Sequence, residues 1–162
     1  MCIRDRFIEV VNRLSRERPE LSFETAASTE ALAERMRGMV RKAGMPPELF
    51  HIAVGKYHEL MDRAAVGIVA SGTATMEAAL HRLPYMLVYK VPLLTYWLAR
   101  MLIKIRFIGM VNILAQKPVV KELVQFDFTP DKVIDEIERL LVPENRDCLL
   151  YTSPSPRDMR RS

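Results

Sequence analysis

Apolar positions recur along the chain with two periods, and the periods alternate. Phe7, Ile8, Val10, Val11 and Leu14 have the spacing of one helix face, and the pattern stops before Pro19. Leu21–Ala27 (LSFETAA) predicts a short strand. Ser28 or Thr29 stands where a cap is needed for a helix over Glu30–Lys42, which Gly44 and Pro46-Pro47 close. Phe50–Val54 predicts a strand and Tyr57–Arg63 a short helix. Ala65–Ala70 is a continuous apolar run, the pattern of a central strand buried on both faces. Thr73–Arg82 predicts a helix, Tyr85–Val91 a strand and Leu93–Ile105 a helix with an apolar stripe. Phe107–Val111 (FIGMV) predicts another short strand, with a loop through Gln116-Lys117-Pro118. Thr129-Pro130 marks the start of a last helix, Asp131–Leu141.

Strands and helices that alternate across short connections predict an α/β domain, a doubly wound parallel sheet covered on both faces. No run approaches the ~18 uncharged apolar residues that a membrane span requires.

The two ends fall outside this pattern. Met1-Cys2-Ile3-Arg4-Asp5 can be written as DNA whose reverse complement, in another frame, encodes Leu149-Leu150-Tyr151-Thr152. This inverted repeat resembles the transposase adapter of sequencing libraries, and SPSPRD resembles its continuation. Residues 1–6 and 148–162 are therefore expected to be adapter-like, leaving 7–147 as the domain to be read. The whole chain carries a formal charge of +4, but 7–147 holds 19 Lys and Arg against 18 Asp and Glu. The basic character thus belongs to the ends. So do both cysteines, Cys2 and Cys148, which removes the basis for a disulfide or a thiolate metal site.

Charge within the domain is polarised. Between Glu77 and Glu122 no acidic residue occurs, while Arg82, Lys90, Arg100, Lys104, Arg106, Lys117 and Lys121 do. Arg100 and Lys104 lie one helical turn apart beside Trp97, Leu98, Met101 and Leu102. That grouping fits an interfacial helix on anionic lipid, or an amphipathic helix packed on the sheet. Interleaved aromatics and the spacing of nucleic-acid-binding motifs are missing, so no nucleic-acid partner is expected. His51, His58 and His81 have no metal-ligand spacing, and no metal is expected.

The candidate chemistry lies in Gly67–Leu80 (GIVASGTATMEAAL), where an apolar strand breaks into small residues. In parallel sheets, ligands bind where strands turn into helices. Gly72 would permit a positive φ and a close approach, Ser71, Thr73 and Thr75 add hydroxyls, and free N–H groups at a helix start can hold a phosphate oxygen. Glu77, about one turn on, could accept from vicinal ribose hydroxyls. The competing reading is structural: Ser71 or Thr73 caps the helix, and Glu77 favours its positive end. The pattern is neither a GxGxxG fingerprint nor a phosphate-binding P-loop.

Val69–Gln125 carries further motifs: S-G-T-A-T-x-E, L-T-Y-W-L-A-R, N-I-L-A and V-x-E-L-x-Q. Together these resemble the C-terminal half of the lipid A disaccharide synthase family, glycosyltransferases of the GT-B fold. The resemblance implies a Rossmann-like domain that holds the UDP of UDP-2,3-diacylglucosamine. It also implies transfer of that sugar, with inversion, to the 6-hydroxyl of 2,3-diacylglucosamine 1-phosphate, giving a β-1,6 disaccharide and UDP. On it, Ser71, Gly72 and Thr73 would contact diphosphate and Glu77 ribose, while Asn112 and Gln125 would lie at the donor site. Lys90, standing where the family has Arg, becomes a diphosphate candidate without the planar fork. Val111 replaces the Pro expected before Asn112. The resemblance further implies a cytoplasmic enzyme, peripheral on the inner membrane of a Gram-negative bacterium, that forms a homodimer and needs no cofactor. Trp97, Arg100 and Lys104 are its membrane-facing candidates. The family's G-S-R motif, expected before Phe7, is absent, and the catalytic base is expected in an N-terminal domain. The chain alone is accordingly expected to be inactive. The alternatives are another GT-B enzyme acting on UDP-sugars, which L-T-Y-W-L-A-R argues against, and a non-enzymatic membrane-associated binding module.

Overall fold

The computed structural model describes residues 3–70, 72–92 and 107–144. The chain divides into two compact units, Met1–Arg63 and Ala64–Ser162, within the span where the pattern predicts one domain.

In the first unit α1 (Ile3–Glu17) begins four residues before Phe7 and precedes β1 (Phe23–Ala27), α2 (Glu30–Lys42), a 3-10 turn (Pro47–Leu49), β2 (Phe50–Val54) and α3 (Tyr57–Arg63). Thr29 caps α2: its backbone is extended and its hydroxyl accepts from Leu32 N at 3.3 Å. Gly44, with φ 69°, turns the chain out of the helix. β1 and β2 pair in parallel from Phe23↔Phe50 to Ala27↔Val54. Val11, Val40 and Met45 form a buried cluster, with Ile8, Phe23, Phe50 and Ile52 packed on it. The outer face of α2 carries Arg37 bonded to Glu30 and Glu34, and Arg41 bonded to Glu34. Hydrogen bonds from Arg41 and then Arg37 hold the Glu34 carboxyl below its usual range.

The second unit contains β3 (Gly67–Val69), α4 (Gly72–Leu80), β4 (Tyr85–Tyr89), α5 (Met110–Ala115), β5 (Glu122–Val124) and α6 (Pro130–Leu141). Its strands are parallel in the order β3-β4-β5. The architecture is α/β with parallel strands, as the alternating periods predict. Yet the strand buried on both faces is β4, where Tyr85 to Val88 are all buried, rather than the 65–70 run. Only Gly67–Val69 of that run pairs, and within the unit it is bonded on one side. Thr129 caps α6, accepting from Lys132 N, and Pro130 occupies its first turn. Val133, Ile134, Ile137 and Leu140 form its buried stripe, each contributing roughly 1.5–3 kcal/mol through burial.

Two expectations fail after residue 106. Phe107–Val111 is not a strand: Phe107 and Ile108 lie outside regular structure, and Met110 opens α5 with Gly109 as its cap. The backbone N–H groups of Ile108 and Gly109 donate to the Glu122 carboxylate, 2.9 Å each, instead of to a neighbouring strand. β5 falls where the pattern predicts no strand; only Leu123 of its three residues is buried, too short a signal for period two. The predicted helix over 93–105, with Trp97, Arg100 and Lys104, lies outside the described residues. No described helix is long and apolar enough to cross a membrane.

Candidate functional site

Because β3, β4 and β5 are parallel, their carboxyl ends share one edge of the sheet. Three connections leave that edge: Ala70–Gly72 into α4, Lys90–Val91 after β4, and Gln125 after β5. The register Val69↔Leu87↔Glu122 shows that the last residue of β3 is level with the first of β5.

At the first connection Gly72 is the opening residue of α4 and is exposed, as is Thr73; Ser71 lies outside the described residues. The positive φ expected of Gly72 is not found. Left-handed glycines occur at Gly44 and Gly55, while a Cβ built on Gly72 would meet no atom within 4 Å. Openness rather than backbone strain distinguishes this position. Thr75 is corrected as well. Its side chain is buried and its hydroxyl donates back to Gly72 O at 2.5 Å, so it offers nothing to a ligand at the edge. Tyr85 donates its phenol to Thr75 O at 2.9 Å, tying α4 to the sheet beneath it. Burial, assisted by the negative charge of Glu122, pushes the Tyr85 phenol far above its ordinary value.

Glu77 is half-buried on α4, five residues past Gly72, about 7.5 Å along the axis. Its carboxylate has no hydrogen bond or ion pair with another described residue. That sets it apart from Glu122 and Glu136, whose carboxylates bond backbone amides and Arg139 respectively.

Asn112 is buried on α5. Its Nδ2 donates to Val120 O at 2.7 Å and to Glu122 Oε1 at 2.8 Å, while Oδ1 accepts from Val120 N at 2.8 Å. It belongs to the interior between α4, α5 and the sheet, lined also by Thr75, Leu87 and Gly109, which has no water-sized space. Gln125 is buried too, with φ 53°. Its Nε2 donates to Val91 O at 3.0 Å and its Oε1 accepts from Val91 N at 3.1 Å. Its own N–H donates to Tyr89 O at 2.8 Å. Lys90, half-buried, stands between those two anchored residues. The structure thus gathers Gly72, Thr73, Lys90 and Gln125 at the carboxyl edge, sets Glu77 along α4, and keeps Asn112 inside. Glu122 was not singled out from the sequence, although the V-x-E-L-x-Q motif contains it. Its interruption of the acid-free stretch is the signal that marks it.

Comparison with known proteins places this arrangement. Residues 3–148 match the model of the Lipid-A-disaccharide synthetase family. The chain belongs to that family. It is 35% identical over 136 residues to the lipid-A-disaccharide synthase of Myxococcus xanthus, covering 84% of this chain and 35% of that protein. With the synthase of Photobacterium profundum it shares 34% identity over 144 residues, 88% of this chain and 37% of the relative. An 82-residue stretch is 44% identical to the synthase of Coxiella burnetii, covering 51% of this chain and 22% of that protein. The chain therefore spans about a third of the length of the first two relatives. As a lipid-A-disaccharide synthetase family member, it has its motif residues divided between two tasks. Gly72 and Thr73 are exposed and the Glu77 carboxylate has no described partner, while Asn112, Glu122 and Gln125 bind backbone. Among the described residues no group of three or more His, Cys, Asp or Glu could hold a metal ion.

Proposed function

We propose that this chain is the sugar-nucleotide part of a lipid-A-disaccharide synthase, and that the carboxyl edge of β3-β4-β5 holds UDP. The reading rests above all on Glu77. Its half-buried carboxylate has no hydrogen-bond partner among the described residues, so its oxygens are open to a ligand's donors. The vicinal hydroxyls of ribose match it, since an ionised carboxylate only accepts. Gly72 and Thr73 open α4 with amides that suit a diphosphate oxygen, and Lys90 supplies a cation after β4. Ser71 is assigned to the same diphosphate group.

In the whole enzyme the donor is UDP-2,3-diacylglucosamine and the acceptor 2,3-diacylglucosamine 1-phosphate. The acceptor 6-hydroxyl attacks the anomeric carbon, the bond to UDP breaks, and the hydroxyl proton passes to a base outside this stretch. Developing charge on the leaving UDP is met by the amides at α4 and by Lys90, with no metal required. The whole enzyme acts as a dimer on the cytoplasmic face of the inner membrane. Exposed Ile108, Met110, Ile113 and Leu114 continue the acid-free stretch and support contact with anionic lipid.

The test is UDP binding by calorimetry. Glu77→Ala is expected to weaken UDP by ~1–3 kcal/mol, the range for removing one partner of a hydrogen bond. Unchanged affinity would remove Glu77 from the site, and failure of the unmutated chain to bind UDP would remove the site itself.

A further inference from the structure

We infer that Gln125 is a positioning residue which sets Lys90 against the diphosphate of the bound nucleotide. The inference rests on the UDP reading above and deepens it. β5 ends at Val124, yet the segment after β4 continues through Lys90 and Val91 to Pro92. Without a strand beside it, the N–H and C=O of Val91 would have no ladder partner. The Gln125 carboxamide supplies both. Nε2 donates to Val91 O at 3.0 Å, and Oε1 accepts from Val91 N at 3.1 Å, as a strand residue's peptide group would. The side chain can do so because Gln125 takes a left-handed φ of 53°, which turns the chain away from the sheet and leaves the amide in line with it.

The same residue anchors the other side of Lys90 through its backbone N–H, 2.8 Å from Tyr89 O. Lys90 is therefore bracketed: Tyr89 and Val91 are both bonded to Gln125, and the peptide planes between them are fixed. Gln125 is itself 3% exposed, so its amide is engaged in the interior and does not reach a ligand. A lysine has a flexible stem and no planar fork, so its effect on a diphosphate depends on where its Cα is held. Gln125 determines that position while touching no substrate atom.

The test compares UDP with uridine, which lacks the diphosphate, in four forms of the chain: unmutated, Q125L, K90A and the double variant. Q125L is expected to weaken UDP about tenfold, as K90A does, and the double variant no further. Uridine affinity is expected to be unchanged throughout. Equal losses for UDP and uridine in Q125L would mean general damage to the unit and would overturn the inference. Additive losses in the double variant, or no loss in Q125L, would overturn it as well. Amide hydrogen exchange at Val91 reads the clamp directly: protection is expected to fall in Q125L, and unchanged protection would overturn the assignment even in a variant that folds poorly. If the unmutated chain binds neither ligand, the UDP reading fails first, a result distinct from binding without coupling.

Discussion

Asn112 and Val120 are hydrogen-bonded twice, side chain to backbone in both directions, at 2.7 and 2.8 Å. The pair locks α5 to the approach into β5, and Asn112 also reaches Glu122. Replacing Asn112 by Ala would strand the buried N–H and C=O of Val120 and leave one acceptor site on Glu122 without its donor. The expected cost is roughly 2–4 kcal/mol in urea unfolding, several times a typical surface substitution. A loss below about 0.5 kcal/mol would show that Val120 finds other partners.

Two glycines make opposite predictions. A Cβ on Gly67 would lie 2.7 Å from Leu83 Cδ2 and 3.3 Å from Tyr85 Cβ, against buried side chains, so Gly67→Ala is expected to destabilise by about 1–3 kcal/mol. Gly72→Ala meets no neighbour and places a better helix former in α4, so stability should hold or rise. UDP affinity should nevertheless fall if the diphosphate binds as proposed, because the new methyl group would stand at that position. Calorimetry together with thermal melts separates the two effects. UDP binding unaffected by Gly72→Ala would place the diphosphate elsewhere.

Tyr85 makes the second unit sensitive to alkali. Its phenol titrates above the ordinary value of 10.0 because burial disfavours phenolate. With the folded value raised, the stabilisation is fully present below the unfolded value and is lost as pH climbs from there through the folded value. Tyr85→Phe should cost about 0.5–1.5 kcal/mol near neutrality, from the lost bond to Thr75 O, and should flatten the decline in stability above pH 10. Identical alkaline slopes in the two proteins would show that Tyr85 opens to solvent before it ionises.

Membrane contact is read by flotation with vesicles containing anionic lipid. Reversing Arg100 and Lys104 to Glu together should reduce the floated fraction, and more so at low salt, where exposed charges act over a longer range. Flotation that does not respond to the double reversal would remove those residues from the interface.

Most of the elements were legible because their signals are local. Thr29 and Thr129 announce their helices by capping chemistry, and α2, β2 and α3 have the bounds that periodicity predicts. What could not be read depends on contacts distant in sequence. FIGMV reads as a strand until Glu122, thirteen residues after Gly109, takes up its amides. A three-residue β5 has no period of its own and exists through pairing with β4. The site divides similarly. The small residues before Glu77 point to a turn at a strand end. Nothing local distinguishes Asn112 and Gln125, which bond backbone, from side chains directed at a ligand.

The lengths of its connections predict the order in which the second unit assembles. β3 and β4 are joined through residues 70–84, whereas β5 reaches β4 only after the chain has run from 90 to 121. Closing the longer loop costs more chain entropy, though the cost grows only logarithmically with length. β5 brings Glu122 and Gln125 with it, so the brackets on α5 and on Lys90 are expected to arrive after the β3-α4-β4 crossover has formed. The same connections should be the earliest lost on partial unfolding, releasing Lys90 while the turn at Gly72 and the helix bearing Glu77 persist.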